Sequence, residues 1–156
     1  GLVLSFAVAK IREMQDKTIL EKTITELEGL NEKISNVIQG GSGNVRKDTL
    51  YISGREGKTK EKLTIDAEND SIRFEMRPPY QYSEPGQTIT QGRIAITTKE
   101  FSGEYRINMV TNYSKYNITY AGKDENKAIP GGSTPYEIFV SNKGELNDKI
   151  QIDLEL

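Results

Sequence analysis

Hydrophobic positions change their spacing twice along this chain. Residues Gly1–Ala9 read GLVLSFAVA, an apolar run without a single charge, and pass directly into the polar run KIREMQDK with no proline or turn signal between them. From Lys10 onward Glu, Lys, Leu, Ile and Met dominate, and the first proline is Pro78, so one helix is predicted to about Gln39. Leu20, Leu27 and Ile34 recur every seven residues, and Thr23, Ile24, Leu30, Val37 and Ile38 fill the three-and-four spacings between them. These residues form one stripe expected to pack on a protein core, with Glu21, Lys22, Glu28, Glu32 and Lys33 on the opposite face. Leu4, Val8 and Ile11 fall in a different heptad phase, separated from the Leu20 stripe by Gln15, Asp16 and Lys17. The helix is therefore expected to serve two surroundings. Its first part is apolar nearly all round, as in lipid or among copies of itself, and its second part lies on one partner. Nine residues are too few to span a bilayer, which takes about 20, so the apolar run is expected to be either the trailing third of a longer apolar helix or a short buried amphipathic segment. Gly40, Gly41 and Gly43 are expected to end the helix.

Beyond Asn44 the helical period does not return. Short alternating or β-branched runs are separated by Gly, Pro, Asn and Asp clusters, which predicts strands at 48–53, 61–67, 71–76, 88–98, 103–112, 116–121, 136–142 and 149–156. Ile72, Phe74 and Met76 alternate with Arg73 and Glu75, and Ile150, Ile152 and Leu154 with Gln151 and Asp153, so each run has one wet face. The expected fold class is α+β, with a long N-terminal α-helix packed on an antiparallel β-sandwich of about eight strands. The expected division is a helix over 1–41 and a β-sandwich domain over 42–156. Glu68-Asn69-Asp70 is expected to be a tight turn. Residues 77–86, RPPYQYSEPG, and 123–133 are expected to be irregular, the second a long exposed loop.

Composition narrows the chemistry. The 156 residues suffice for one well-packed domain, and the 21 basic and 23 acidic side chains are interleaved, which points away from a nucleic-acid partner. Cysteine and histidine are both absent, which removes thiolate nucleophiles, imidazole bases, Cys/His metal sites and disulfides. The acidic residues show no recognisable catalytic pair. The expectation is a protein that is not an enzyme and has no cofactor or metal, with Asp66, Glu68, Asn69 and Asp70 forming a solvated turn and not a calcium loop. Asn112-Tyr113-Ser114 and Asn117-Ile118-Thr119 are sequons, making Asn112 and Asn117 candidate N-glycosylation sites on a surface protein. Tyr80, Tyr82, Tyr105, Tyr113, Tyr116 and Tyr120 form either an aromatic platform for sugar or a neighbouring subunit, or ordinary strand composition.

An apolar helix end, an amphipathic continuation, a Gly-rich break and a Tyr/Asn-rich β domain together resemble archaeal type IV pilins and their relatives with class III signal peptides. In wording the resemblance lies in LEKTITELEGLNEKISNVIQGGSGNVRKDTLYIS (20–53) and YNITYAGKDENKAIPGGSTPYEIFVSNKGE (116–145), the latter with an expected Asn-Lys-Gly turn. The resemblance implies a precursor held in the membrane by its apolar helix and then assembled into an extracellular filament for adhesion or surface attachment. The helices would form the core of that homopolymer and the β domains its sheath, and no nucleic acid would be involved. Leu2, Val3, Leu4, Phe6, Val8 and Ile11 would then be the polymerisation surface, and Leu20, Ile24, Leu27, Leu30, Ile34, Val37 and Ile38 the seam with the β domain. Burying the first five of those apolar side chains is worth on the order of 10 kcal/mol per subunit before entropy costs. A membrane-anchored binding module for glycans or surface proteins, and an accessory protein of the archaellum, fit the same pattern.

Overall fold

The computed structural model describes residues 2–52, 61–77 and 82–156, with backbone alone at 2, 3, 6 and 8–16. Helix α1 runs Leu2–Gly40. Ten strands follow among the described residues: β1 (Val45–Leu50), β2 (Lys62–Asp66), β3 (Ser71–Met76), β4 (Thr88–Gln91), β5 (Ile94–Phe101), β6 (Glu104–Asn112), β7 (Asn117–Tyr120), β8 (Lys127–Pro130), β9 (Tyr136–Leu146) and β10 (Lys149–Glu155). They form a four-stranded sheet in the order β1-β9-β10-β7 and a six-stranded sheet in the order β4-β5-β6-β3-β2-β8. All pairs are antiparallel except β7 with β10. The chain is thus α+β, with one helix and two antiparallel-rich sheets, an arrangement compatible with a helix on a β-sandwich.

A single core joins all three elements. It takes Ile138, Val140, Ile152 and Leu154 from the smaller sheet, Leu63, Ile65, Ile72, Phe74, Ile96 and Met109 from the larger, and Leu20, Leu27, Ile34 and Val37 from α1. The alternation on β3 and β9 has the period of the pleat, so every second residue reaches this core and the others face water. The helix lies against β1, β9 and β10 of one sheet and β5 of the other.

The strand pattern departs from expectation in several places. Residues 88–98 are two strands, because Gly92-Arg93 makes a two-residue turn that pairs Gln91 with Ile94. The presumed loop 123–133 contains β8, held by the pairing of Ile129 with Leu63 and by the burial of Ile129. The Asn-Lys-Gly segment is not a turn. Strand β9 continues to Leu146, with Lys143 and Gly144 bulged opposite Gln151, and Gly144 supplies the positive φ of 91° that such a bulge favours. The reversal comes instead at Asn147-Asp148, both at positive φ. The parallel β7–β10 pair corrects an all-antiparallel expectation. It arises because β7 reaches β10 through a long crossover containing β8 and β9.

The end of α1 is fixed by side chains as well as by glycine. Gly41 adopts φ of 83°, the left-handed conformation that closes helices, and its N–H donates to Ile38 O at 3.4 Å. Asn142 of β9, buried, donates from Nδ2 to the terminal carbonyl of Val37 at 3.0 Å and accepts from Gly144 N at 2.9 Å. One amide therefore binds helix, sheet and bulge together. Replacing Asn142 with Ala leaves buried backbone groups unpaired. It is expected to cost about 1–3 kcal/mol of stability, read as a lower urea midpoint of the full chain.

Candidate functional site

The most unusual surface of the protein is the helix where it leaves the body. Among the described side chains of α1, Leu20 is the first to be fully buried, and Ile24, Leu27, Leu30, Ile34 and Val37 follow it into the core. Ile38, expected in the same seam, is partly buried against the core together with Ile19. Thr23 and Asn31 are buried on the same stripe. On the outer face Glu21, Lys22, Glu28 and Glu32 are exposed and Lys33 is half-buried. Upstream, every described side chain from Leu4 to Thr18 is exposed: Leu4, Ser5, Ala7, Lys17 and Thr18. Leu4 is 68% exposed, the most exposed large apolar side chain among the described residues. The side chains of Leu2, Val3, Phe6, Val8 and Ile11 lie outside those described.

Where helix and body part, a groove of about 540 Å³ opens between Thr18, Glu21, Lys22, Thr25 and Glu26 of α1 and Tyr51 after β1. Tyr51 is 59% exposed, and its backbone N–H donates to Glu26 Oε2 at 3.3 Å. Close to Glu26, Asp48 stands opposite Ile138 in the register, on the covered side of β1. One of its oxygens, Oδ2, is buried without a hydrogen-bond partner among the described residues. Burial and the neighbouring Glu26 carboxylate raise Asp48 above the ordinary 3.8, outweighing Lys33 and the Thr49 amide.

A second polar seam joins helix to sheet. Asn31 Nδ2 donates to Thr111 Oγ1 of β6 at 2.9 Å, and its Oδ1 accepts a short hydrogen bond from the Tyr113 hydroxyl. Burial raises the Tyr113 phenol above its ordinary 10.0, and Arg93 opposes that shift. All three side chains are buried, so the network is satisfied internally and fixes the rotation of α1 about its axis.

The described tyrosines do not form one platform. Tyr113 and Tyr116 meet edge to face with centroids 6.4 Å apart, lining a cleft of about 380 Å³ with Arg93, Asn112, Ser114 and Lys115. Tyr82 packs partly buried against the core, Tyr105 lies on β6, Tyr120 sits beneath Lys127, and Tyr80 lies outside the described residues. The two sequons also differ. Asn112 is exposed at the end of β6, its Oδ1 accepting from Ser114 N at 2.7 Å. Asn117 is half-buried beside Gln151 in the parallel pair, and its Thr119 is buried with its hydroxyl donating to Asp153 at 2.6 Å.

Residues 67–70 form a turn with Glu68 and Asn69 exposed, but Asp66, which ends β2, turns inward. Asp66 is buried, and its carboxylate is held by the Asn69 side chain and amide and by Arg73 at 2.5 Å. Burial alone would raise it, but these donors, with Asn126, hold it below the ordinary 3.8. Its oxygens thus already accept from one guanidinium and from amide donors. Among the described residues no three His, Cys, Asp or Glu side chains stand close enough to hold a metal ion, and no helix is long and apolar enough to cross a membrane. Compared with protein-family models, curated proteins and solved structures, the chain finds no significant match.

Asn31 and Asn142 were not singled out in the sequence, though each carries a signal. Asn31 lies in phase with Leu27 and Ile34, and Asn142 continues the Ile138, Val140 alternation. A polar residue on a buried phase marks a hydrogen bond across a seam.

The two aspartates shift in opposite directions, so their linkages to stability have opposite signs. Asp48, raised in the folded chain, binds its proton more readily there than in the unfolded chain, so its contribution penalises folding at neutral pH and is relieved as pH falls through its folded value. Asp66, lowered, contributes stability above about pH 4 that is lost as pH falls through its depressed value. Asp48→Asn is expected to raise the melting temperature at pH 7 with the gain shrinking toward pH 4. Asp66→Asn is expected to lower it at pH 7. Thermal melts at the two pH values check both signs, and a loss of stability at pH 7 in Asp48→Asn contradicts the first.

Proposed function

We propose that this protein is the structural subunit of an extracellular filament, resembling archaeal type IV pilins, that polymerises through the N-terminal part of α1. The observation that carries the reading is the continuation of one helix from the core at Leu20 back to Leu2, with Leu4 exposed. Residues 2–18 extend about 25 Å at 1.5 Å per residue. A helix of that length is marginal in water unless something packs on it, and its apolar residues gain nothing from solvent. Other copies of the same helix are suitable partners, and before assembly a membrane would shelter the same surface. Contacts that repeat without closing build a helical fibre, with the two sheets as its outer layer. Adhesion or surface attachment is the role this arrangement suits, with an Asn112 glycan on the exposed sheath; no catalytic role, cofactor or nucleic-acid partner is proposed.

The cleft beside Tyr116 favours a second reading, a membrane-anchored module that binds glycans through Arg93, Lys115 and the Tyr116 ring without polymerising. The two readings separate in one experiment. Leu4→Lys places a charge on the exposed helix and is expected to abolish filaments in electron micrographs. The melting temperature of the body should move by less than about 1 °C, since Leu4 touches none of the core. Normal filaments from this variant contradict the filament reading, and filament-free wild-type protein that binds glycans supports the module.

A further inference from the structure

Four strands stand at the edges of the two sheets: β1, β7, β4 and β8. An open edge presents unpaired N–H and C=O groups that can template another strand, so what occupies each edge decides whether copies can pair there. Strand β1 is flanked by α1, and the N–H of Tyr51, just beyond it, is taken by Glu26. On β7 the N–H of Ile118 donates to Asp70 Oδ1 at 2.8 Å, and Tyr120 exchanges backbone bonds with Lys123. On β8 Pro130 has no N–H to offer and its carbonyl accepts from the Tyr136 hydroxyl at 2.9 Å, while Lys127 adds charge. Each of these three edges therefore has backbone groups already taken, beside a helix, a bridge or a proline.

The fourth edge differs. Strand β4, Thr88-Ile89-Thr90-Gln91, carries no charge and no proline, and all four residues are exposed. Its two-residue turn makes Gln91–Ile94 a hydrogen-bonded pair, and Ile89–Ile96 is therefore the next. The backbone groups of Thr88 and Thr90 point away from β5, and no described residue bonds them. Ile89 shares a sheet face with Ile96, which is fully buried, yet Ile89 is itself 44% exposed, so the apolar face continues past the core and stops at this edge.

We infer that β4 is a self-pairing edge at which two copies of this chain join their six-stranded sheets about a two-fold axis. The occupant follows from the survey of edges: among the described residues β4 is the edge with no outward backbone group taken and neither charge nor proline, so it is the one best able to receive its own copy, and its lack of charge removes repulsion between like strands. One antiparallel register satisfies every exposed group. Thr88 pairs with the partner's Thr90 and Thr90 with the partner's Thr88, each exchanging both backbone bonds, and Ile89 meets the partner's Ile89 at the non-hydrogen-bonded position between them. The threonines meet on the wet face and the isoleucines extend the apolar one. Two-fold pairing closes on itself and cannot build a polar fibre, so this contact is separate from the helix-mediated assembly proposed above. It joins two bodies, or two fibres lying side by side, where many weak contacts act together.

The absence of cysteine makes the test clean. Non-hydrogen-bonded partners lie about 4.5 Å apart between Cα atoms, within disulfide range. In the full chain, Ile89→Cys is expected to form an interchain disulfide under mild oxidation at least roughly tenfold faster than Glu125→Cys, which sits exposed just before β8 at the opposite edge of the same sheet. Adding Thr90→Pro to Ile89→Cys removes an outward N–H while leaving the ladder to β5 intact, and should erase that advantage with the circular dichroism unchanged. Equal rates for Ile89→Cys and Glu125→Cys overturn the inference, as does an advantage that survives Thr90→Pro. Neither result depends on whether the helix polymerises.

Discussion

Everything in this fold leans on the burial of one stripe of α1 against both sheets at once. The stripe from Leu20 to Val37 supplies the large side chains that close a core the two sheets would otherwise leave open along β1, β9 and β5. Two sheets of short strands, without a disulfide, depend on that continuity of packing. The same constraint sets the boundary in the helix. Downstream of Ile19 its apolar face is spent on the body, and upstream the described side chains are all exposed.

Polar groups make the helix position specific. Apolar packing alone tolerates rotation or sliding of a helix by small steps, but buried amides and hydroxyls do not, because an unpaired one costs far more than a paired one gains. Asn31 with Thr111 and Tyr113 fixes rotation midway along the seam, and Asn142 on the Val37 carbonyl fixes the end. Asp48 beside Glu26 works against this seam, since its charge is partly desolvated with a like charge nearby. A mild electrostatic penalty is thus built in close to the point where the helix departs from the body.

The helix and its seam were legible in the sequence because a 3.6-residue period sustained over five turns has no competing explanation; Leu20, Leu27 and Ile34 alone mark the covered face. The strands at 71–76 and 149–155 were legible for the matching reason, a strict alternation. What escaped was short or polar. Strand β8 has one buried apolar residue, Ile129, in a Pro/Gly-rich neighbourhood, and a single residue has no period. The hairpin at Gly92-Arg93 was hidden because Ile89, Ile94 and Ile96 read as one β-branched run. The Asn-Lys-Gly segment has turn composition, yet Asn142 spends its side chain on the helix and Gly144 on a bulge, a tertiary use that no local rule foresees. The candidate polymerisation surface was visible as composition, since GLVLSFAVA is apolar on every face, whereas the occupied sheet edges depend on long-range partners such as Asp70 and Tyr136.

A helix with one half committed to its own body and the other uncommitted is the central claim, and amide hydrogen exchange along α1 tests it most directly. In dilute, unassembled protein, amides from Thr23 to Val37 should exchange only on opening of the body, while those from Leu4 to Lys17 exchange orders of magnitude faster and gain protection on assembly. Uniform protection from Leu4 to Val37 in a lone molecule would contradict the account, since the upstream half would then be stable without a partner.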